Sequence, residues 1–495
     1  MSGHWRGPMV SVGAVTMLAA ALVALPVAAS PRTPTVSLSA SQGARQPAAL
    51  TIQPYDWPTY LRNQQHSSGN FSVPGITLGN VSKLRTLWSW SAPVSGDNLL
   101  ASPTIAAGMV FLGTTSGRIY ALNELTGSAI WSKQLDVVPA KLGGCNQSTG
   151  ISGTASVAPD PRTGLLTVYV AGGRFLYALD AATGAQRWRA LVGPANSLNT
   201  VGYRNWASPT VAGGVVLMGL SSNCDAPLIR GGVQAFNQAT GATTGSYFTV
   251  PAGKVGGSVW SSVASDGKSA WVTTGNPDPR GTHVYDSYSI VRLVLPGLVK
   301  VDKSTVTLPI TADKDFGSSP TLFAAILRGT TTLMVGACNK NGVYYAWRSG
   351  NLAAGPVWHD QVGNTSNEPD MCLTSGAWDF PRNELYIAAN STTINGKKVA
   401  GSVRQVDPAT GAYHWQTALP CVPLVSPSLN GSSNLLAVST WCTSGTSRTY
   451  VLNAANGAIV ASYVQPSETF VQPVWSASAL FIGGSFGPGK LVVLF

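Results

Sequence analysis

A twelve-residue phrase that recurs at nearly constant spacing constrains the fold of this chain more than any other feature of its sequence. The clear copies are YALNELTGSAIW at 120–131, YALDAATGAQRW at 177–188, QAFNQATGATTG at 234–245, RQVDPATGAYHW at 404–415 and YVLNAANGAIVA at 450–461, and IVRLVLPGLVKV at 290–301 is a weaker one. The first four turn glycines, Gly127, Gly184, Gly241 and Gly297, are 57, 57 and 56 residues apart. A period in this range, made of short strands and turns, predicts a repeat architecture.

Each phrase has the pattern of a β-hairpin. An alternating apolar strand leads into an Asn/Asp-x-x-Thr-Gly turn, and a second strand leaves it, ending in Trp in most copies. Asn or Asp can bond its own backbone in such a turn, and Gly supplies the positive φ. The Trp offers a large flat surface that can pack on the neighbouring repeat. Two further strand-like runs precede each phrase, so each repeat predicts a four-stranded propeller blade. A β-solenoid or a row of small β-domains is the alternative.

Counting repeats predicts an all-β fold, an eight-bladed β-propeller of four-stranded antiparallel blades. Seven blades fall at about 102–135, 152–193, 206–250, 256–306, 315–363, 372–420 and 425–465. The tail, 470–495, is long enough for only three strands, whereas the strand-like run at 83–92 has no partners nearby. Pairing this N-terminal strand with the C-terminal strands would close the ring without an exposed edge.

The first 54 residues predict export rather than folded structure. His4 and Arg6 precede an uncharged run that ends in Val-Ala-Ala at 27–29, so residues 1–29 resemble a secretory signal. A retained N-terminal anchor is the alternative. Residues 30–54, rich in Pro, Ser and Thr, predict a disordered leader, and the propeller is expected over 55–495. We therefore expect a secreted, periplasmic or envelope protein.

All six cysteines lie in the predicted exported part, where an oxidising compartment favours disulfides. We predict the pairs Cys421–Cys442 within blade 7, and Cys145–Cys224 and Cys338–Cys372 between loops of nearby blades. The absence of C-x-x-C and C-x-x-C-H from the sequence disfavours a zinc site and covalently attached haem.

The charge of the chain is basic but dispersed. The whole sequence has 31 Lys+Arg against 20 Asp+Glu, and charged residues make up only 10% of it. Such a surface suits an anionic polymer or cell envelope, yet the positive residues form no cluster of the kind that binds nucleic acid. We expect a monomer that does not bind nucleic acid.

The repeats resemble those of pyrroloquinoline quinone (PQQ) proteins, from about Asp56 to the C-terminus. That family includes eight-bladed quinoprotein alcohol dehydrogenases and non-catalytic relatives such as the outer-membrane assembly lipoprotein. The repeat itself describes blade packing, so function has to be argued from site residues.

Four stretches outside the repeat also resemble the dehydrogenase branch, in the family's order. They are SSNCDAPLIRGG at 221–232 with Asp225 and Arg230, GSVWSSVASDGKSAWVTTGNPDP at 257–279 with Trp260 and Asn276, ADKDFGSSP at 312–320 with Asp313 and Asp315, and ACNKNGVYYAW at 337–347 with Lys340. The resemblance implies Asp225 and Asn276 as calcium ligands, Trp260 as the floor under the quinone, and Lys340 and Arg230 as contacts of its carboxylates.

The implied chemistry is coherent for a dehydrogenase that uses PQQ and calcium. Ca²⁺ prefers oxygen ligands, and cationic side chains suit the three carboxylates of PQQ. Asp313, or alternatively Asp315, would accept the proton of a substrate hydroxyl. The substrate would be an alcohol, polyol or sugar, and a separate electron acceptor is required because the sequence has no haem motif.

Two departures from the family pattern lead to a second hypothesis. The chain has no adjacent Cys-Cys pair, and the comparable loop has only Cys145; the calcium-binding acid is Asp225 where the family usually has Glu. Each site residue also has a structural alternative, such as blade packing for Trp260 or solvation for Lys340. The second hypothesis is a non-catalytic propeller that binds a protein or polymer at the cell envelope. The two differ in whether the site residues converge on an axial pocket.

Overall fold

The structure, a computed structural model, describes residues 50–139, 150–195, 202–222, 224–364 and 372–495. Eight antiparallel sheets form the blades of a β-propeller, as predicted. The strands of blades 1 to 4 are Thr104–Ala106, Met109–Gly113, Arg118–Asn123 and Ala129–Gln134; Ser156–Pro159, Leu166–Gly172, Phe175–Asp180 and Gln186–Leu191; Thr210–Ala212, Val215–Ser222, Gly232–Asn237 and Thr243–Phe248; and Ala264–Ser265, Ser269–Thr273, Ser289–Val294 and Val299–Thr305.

Blades 5 to 8 repeat the same arrangement. Their strands are Thr321–Leu327, Thr330–Cys338, Val343–Arg348 and Trp358–Gln361; Ala377–Asp379, Glu384–Ile394, Lys397–Val406 and Tyr413–Leu419; Ser428–Asn430, Leu435–Ser439, Arg448–Asn453 and Ile459–Val464; and Val474–Ser476, Ala479–Gly484, Lys490–Leu494 and Thr86–Ser91. Two short strands, Tyr203–Arg204 and Gly69–Asn70, extend blades 3 and 7. In the described residues the helical elements are the 3₁₀ turns Val81–Lys83 and Leu352–Ala354.

The ring closes as the repeat count predicts. Thr86–Ser91 is the outer strand of blade 8 and pairs antiparallel with Lys490–Leu494. A strand from near the start of the described chain and the three last strands therefore share one sheet, and this pairing covers the edge that Lys490–Leu494 would otherwise expose.

The recurring phrase forms the hairpin between the third and fourth strands and joins each blade to the next. In blade 2, the Asp180 carboxylate accepts the backbone N–H groups of Ala182 and Thr183, and Gly184 has a φ of +71°. The Trp131 ring of blade 1 packs on Gly184, and its Nε1 donates to the carbonyl of Ala181. Equivalent Trp-to-carbonyl bonds are made by Trp88, Trp188, Trp358 and Trp415. The predicted packing of this Trp on the neighbouring repeat is confirmed.

Hydroxyl groups connect the blades around the propeller axis. In six of the eight blades, a residue just ahead of the first strand donates its backbone N–H to the side chain at the equivalent position in the next blade, at 2.9 Å in each case. The pairs are Ser102 to Thr154, Thr154 to Ser208, Ser208 to Ser262, Ser262 to Ser319, Ser375 to Ser426 and Gln472 to Ser102. We call these eight residues, one from each blade and all but Gln472 bearing a hydroxyl, the hydroxyl ring. It fixes the loops that enter the first strands.

Residues 56–70, which we call the strap, run along the first strands of most blades. Trp57 pairs with Ile105 of blade 1, and the carbonyls of Pro58, Gln64, Gln65, Ser67 and Ser68 accept N–H groups from blades 2, 4, 5, 6 and 7. The Tyr60 hydroxyl lies near the side chains of Ser319, Ser375 and Ser426. The strap therefore reaches the hydroxyl ring at blades 5, 6 and 7.

The disulfides follow the prediction where the structure describes them. Cys338–Cys372 joins blades 5 and 6, and Cys421–Cys442 lies in blade 7. Cys224 is disulfide-bonded, but its predicted partner Cys145 lies outside the described ranges. The predicted signal and most of the predicted leader also lie outside them. No helix in the described ranges has the length and hydropathy needed to cross a membrane.

Candidate functional site: an acidic pocket over blades 3 to 5

Five of the six residues that the resemblance assigns to cofactor or metal binding and catalysis line one pocket. The pocket has a volume of about 630 Å³ and is walled by loops of blades 3, 4 and 5. Asp225, Trp260, Asn276, Asp313 and Lys340 all line it, together with Asp315, the alternative base. We call it the acidic pocket, because three of these side chains are carboxylates and one is an ammonium.

The loop backbones that carry these residues are tied to one another. The backbone N–H of Gly257 donates to the carbonyl of Asn276 at 2.7 Å, and that of Lys340 donates to the carbonyl of Asp315 at 3.0 Å. The buried Tyr288 of blade 4 donates its hydroxyl to the carbonyl of Ala312. The site is therefore built on loops that the adjoining blades hold in place.

Asn276 connects two of the carboxylates. Its amide Nδ2 lies 3.0 Å from Asp225 Oδ2 and 2.8 Å from Asp313 Oδ1. Ser222, a residue that the sequence analysis did not single out, donates its hydroxyl to Asp225 Oδ1 at 2.6 Å. The amide oxygen of Asn276 is buried and has no hydrogen-bond partner. A buried amide oxygen without a partner, on a side chain whose nitrogen already contacts two carboxylates, is an oxygen donor that a hard cation could use.

Calcium fits this donor set when another source supplies further oxygens. Asp225 offers a carboxylate and Asn276 offers an amide oxygen, whereas Ca²⁺ takes six to eight oxygen ligands. Among the described residues no group of three or more His, Cys, Asp or Glu side chains is arranged to hold a metal ion. The remaining ligands would have to come from a bound cofactor or from water.

Lys340 lies between two aspartates. Its Nζ is 2.9 Å from Asp313 Oδ1 and 2.8 Å from Asp315 Oδ1. Burial by itself would lower the pKa of the lysine, but the charges of Asp315 and Asp313 outweigh it and raise the pKa. Lys340 is therefore a permanent cation, and its Nζ lies 5.5 Å from the centre of the Trp260 ring.

Asp313 and Asp315 differ in exposure and in the direction of their pKa shifts. The Asp313 side chain is 58% exposed and that of Asp315 only 4%. Burial raises the pKa of Asp315 to about 6, despite Lys340 and the Trp260 N–H that donates to its Oδ2 at 2.8 Å. At Asp313 the Lys340 charge and the Asn276 amide outweigh the effect of burial and lower the pKa. Asp313 is thus the open, ionised carboxylate, and Asp315 holds the indole and the ammonium.

Arg230 lies away from this group and is not among the residues that line the pocket. Its guanidinium stacks on the Phe248 ring at 3.9 Å, and its Nε donates to the carbonyl of Val250 at 3.0 Å. Of the described residues that line the acidic pocket, Lys340 is the only cation. An anionic ligand would therefore meet one positive side chain and any metal ion bound beside it.

A quinone fits the pocket on two grounds. The Trp260 ring forms a flat wall whose orientation is held by Asp315, and the volume lies in the range of about 300–1,000 Å³ typical of small-molecule sites. Trp206, also missed by the sequence analysis, forms another wall, and its Nε1 donates to the Ser222 carbonyl at 3.1 Å.

The comparisons with known proteins agree with this fold. Residues 57–285 match the family model described as the glucose/ethanol/alcohol dehydrogenase β-propeller domain. Quinohemoprotein alcohol dehydrogenase of Comamonas testosteroni is 26% identical over 341 residues, which cover 61% of this chain and 45% of that protein. Polyvinylalcohol dehydrogenase of Sphingopyxis sp. (strain 113P3) is 23% identical over 344 residues, covering 60% and 49%. The chain thus spans about half the length of the curated relatives it matches.

Solved structures show the same architecture. The crystal structure of the Comamonas testosteroni enzyme superposes with a TM-score of 0.72 at 17% identity, covering 89% of this chain and 80% of that one. A europium-containing methanol dehydrogenase superposes with a TM-score of 0.73 at 14% identity, covering 90% and 99%. At these identities the likeness establishes the fold, and the chemistry has to be argued from the acidic pocket.

Proposed function

Because the chain belongs to the PQQ-repeat, quinoprotein alcohol dehydrogenase-like family of β-propellers, we propose that it is a dehydrogenase dependent on PQQ and calcium that oxidises a hydroxyl group of an alcohol, polyol or sugar. The observation that carries the proposal is the convergence of Asp225, Asn276, Asp313 and Lys340, from three blades, on one pocket. A blade-packing or solvated role for these residues gives no reason for such convergence. The activity named for the relatives supports the same class of reaction.

In this proposal Asp313 is the base. Its lowered pKa keeps it ionised at neutral pH, and its exposure allows a substrate hydroxyl to approach. Its hydrogen bonds with Asn276 and Lys340 both fall on Oδ1, which leaves Oδ2 for the proton of the substrate. Asp315 is a poor alternative because it is buried and engages Lys340 and Trp260.

The other residues bind and orient. Asp225 and Asn276 would hold the cation, Trp260 would stack on the quinone, and Lys340 would contact its carboxylate or carbonyl oxygens. A quinone held there would supply the hydride acceptor, and a cation held by Asp225 and Asn276 would supply Lewis-acid polarisation of a carbonyl. The sequence has no C-x-x-C-H haem motif, so we expect the electron acceptor to lie outside it. Export through residues 1–29 remains part of the proposal, whereas the predicted disorder of the leader is wrong for its last residues, because Leu50 and Ile52 pack against the core.

The test is titration of purified protein with PQQ and Ca²⁺, followed by dye reduction with a panel of alcohols and sugars. We expect calcium-dependent quinone binding that is lost in Asn276→Ala and Lys340→Ala. Asp313→Ala should retain binding and lose turnover by roughly 10²–10⁴-fold, the usual contribution of a general base. An Arg230→Ala variant should bind PQQ like the parent protein, because its guanidinium lies away from the pocket.

Absence of binding at micromolar PQQ and millimolar calcium would overturn the proposal. The non-catalytic propeller that holds an envelope protein or polymer would then be the better account. If PQQ binds but no substrate of the panel is oxidised, the cofactor site is supported and Asp313 is rejected as a base for these alcohols.

A further inference from the structure

A second pocket lies beside the acidic pocket, and one position in each repeat determines its lining. In each blade this position lies two residues before the residue of the hydroxyl ring in the sequence. In blades 1 to 8 it is occupied by Leu100, Ser152, Trp206, Trp260, Gly317, Leu373, Leu424 and Phe470. Six of these eight residues line the second pocket, and none of the eight is charged. We call this space the axial pocket.

The axial pocket is large and adjoins the acidic pocket. Its volume is about 760 Å³, and Tyr60 of the strap is one of its lining residues. Trp206 and Trp260 line both pockets. Because the N–H of each indole is held by a fixed acceptor, the Ser222 carbonyl and the Asp315 carboxylate, the two rings form a rigid shared wall.

The two pockets differ in charge. Whereas the acidic pocket has three carboxylates and Lys340, no charged side chain lines the axial pocket among the residues that the structure describes. Its polar groups are hydroxyls and an amide, including those of Asn98, Thr115 and Ser152. Burying a carboxylate or ammonium there without a partner would be costly, so the pocket selects against charged ligands.

One polar group in the axial pocket lacks a partner. The hydroxyl of Ser152 is more than nine-tenths buried and makes no hydrogen bond. Buried polar groups in native proteins are nearly always paired, so an unpaired hydroxyl on a pocket wall marks a place for a polar atom of a ligand.

Aromatic rings extend the axial pocket outward. Phe470 and Phe486 line its rim with ring centres 6.2 Å apart, and Trp441 lies 5.1 Å from Phe470. The disulfide of Cys442 anchors the segment that carries Trp441, and Phe470 is 41% exposed. Flat rings beside hydroxyl and amide groups suit a ligand with both C–H faces and hydroxyls.

We propose that the axial pocket binds a neutral, hydroxyl-rich chain that is longer than one unit, and that it presents one hydroxyl of this chain to the acidic pocket. A short alcohol would leave most of the axial pocket empty, and a charged sugar acid would find no counter-ion among the described residues that line it. Oxidation of the bound chain rests on the function proposed above, whereas its binding does not.

The test is isothermal titration of quinone-free and calcium-free protein. The ligands are maltohexaose, glucose, an oligogalacturonate of six units and a poly(vinyl alcohol) oligomer. We expect a neutral oligomer to bind at least tenfold more tightly than glucose, and the oligogalacturonate not to bind. Binding of maltohexaose would identify a carbohydrate chain, and binding of the poly(vinyl alcohol) oligomer alone would identify an acyclic one. Either result supports the proposal.

Two variants and a matched control locate the binding. Phe470→Ala and Ser152→Ala should each weaken binding of the neutral oligomer, the first by roughly tenfold. Phe380→Ala is the control, because Phe380 is also an exposed phenylalanine but packs on Phe71, and it does not line the axial pocket. Its affinity should equal that of the parent protein.

Three outcomes would overturn the proposal. They are no binding of any neutral oligomer, equal binding of the oligogalacturonate, and displacement of the oligomer by PQQ, which would assign the axial pocket to the quinone. Because the protein contains no quinone in the binding experiment, failure of PQQ to bind would reject the dehydrogenase and leave this result intact.

Discussion

At the scale of single residues, two aspartates that share one lysine have different environments. Asp313 faces solvent and Asp315 is enclosed by the Trp260 indole and the Lys340 ammonium. Environments that shift two pKa values in opposite directions are typical of sites where acids are assigned different tasks. Asp313 suits proton transfer, and Asp315 suits positioning.

We expect protonation of Asp315 to change the emission of Trp260. The pKa of Asp315 is about 6, so its carboxylate that accepts the indole N–H is charged above that pH and neutral below it. Tryptophan fluorescence of the free protein should show a pH step near 6. The step should be absent from Asp315→Asn and also from Trp260→Phe, which identifies the emitting indole among the 15 tryptophans. A step that persists in Asp315→Asn would exclude this carboxylate as its source.

The sequence predicted the acidic pocket better than it predicted the axial pocket. Asp225, Asn276, Asp313 and Lys340 could be picked out because short motifs carry them in the family's order. The position of Arg230 could not, because stacking on Phe248 is a tertiary contact with no local signal. Ser152 and Phe470 were also missed. Their signal was a fixed offset from the hydroxyl ring, which can be recognised only when all eight repeats are aligned on that ring.

At the scale of elements, the repeated hairpin explains why a tryptophan and a glycine recur together. The glycine adopts a positive φ, and it also leaves room for the ring of the preceding blade. A Cβ at Gly184 would lie 2.7 Å from Trp131. The turn and the packing of its Trp were both predictable, because the residues involved lie within one short phrase.

A pair of glycine variants in blade 2 can separate these two effects. Gly184 and Gly164 share a φ of +71°, but a Cβ at Gly164 would meet nothing within 4 Å. Gly164→Ala should lower the free energy of unfolding by about 1 kcal/mol from backbone strain alone. Gly184→Ala should cost a further 1–3 kcal/mol or so, because the inserted methyl overpacks the contact with Trp131. Denaturant unfolding measures both, and equal losses would refute the packing role.

At the scale of the whole molecule, contacts between blades 1 and 8 hold the ring closed. Glu124 follows the third strand of blade 1, and its Oε1 accepts the hydroxyl of Ser476 in blade 8 at 3.2 Å. Its backbone carbonyl accepts the indole N–H of Trp88, also in blade 8. Burial, with the nearby charge of Asp56, raises the pKa of Glu124 from 4.5 to about 7.

The stability of the closed ring should therefore depend on pH. Between about 4.5 and 7 the folded protein binds more protons at Glu124 than the unfolded chain does, so this contribution to stability is lost as the pH rises through that window. Glu124→Gln has no carboxyl group to ionise, so it should not lose this stability, and at pH 8 it should be more stable than the parent protein by up to about 3 kcal/mol. At pH 4, where both side chains are neutral, the two proteins should unfold at similar temperatures. Thermal melts at the two pH values check this, and no difference at pH 8 would contradict it.

The blade count and the closing pair were predictable from length and repeat spacing. The path of the strap was not, because residues 56–70 have no strand pattern of their own and take their conformation from the blades they touch. Their carbonyls satisfy N–H groups that the first strands would otherwise leave unpaired. This role can be recognised only when the ring is already assembled.

The pairing of Thr86–Ser91 with Lys490–Leu494 also has a consequence for the time course of folding. During synthesis the early strand has to wait until nearly the whole described chain has left the ribosome, because its partner lies at the far end of the described residues. Its edge is open to other chains throughout that interval, and contacts between such distant segments form slowly. A protein with this topology benefits from being kept extended until its last strand is available.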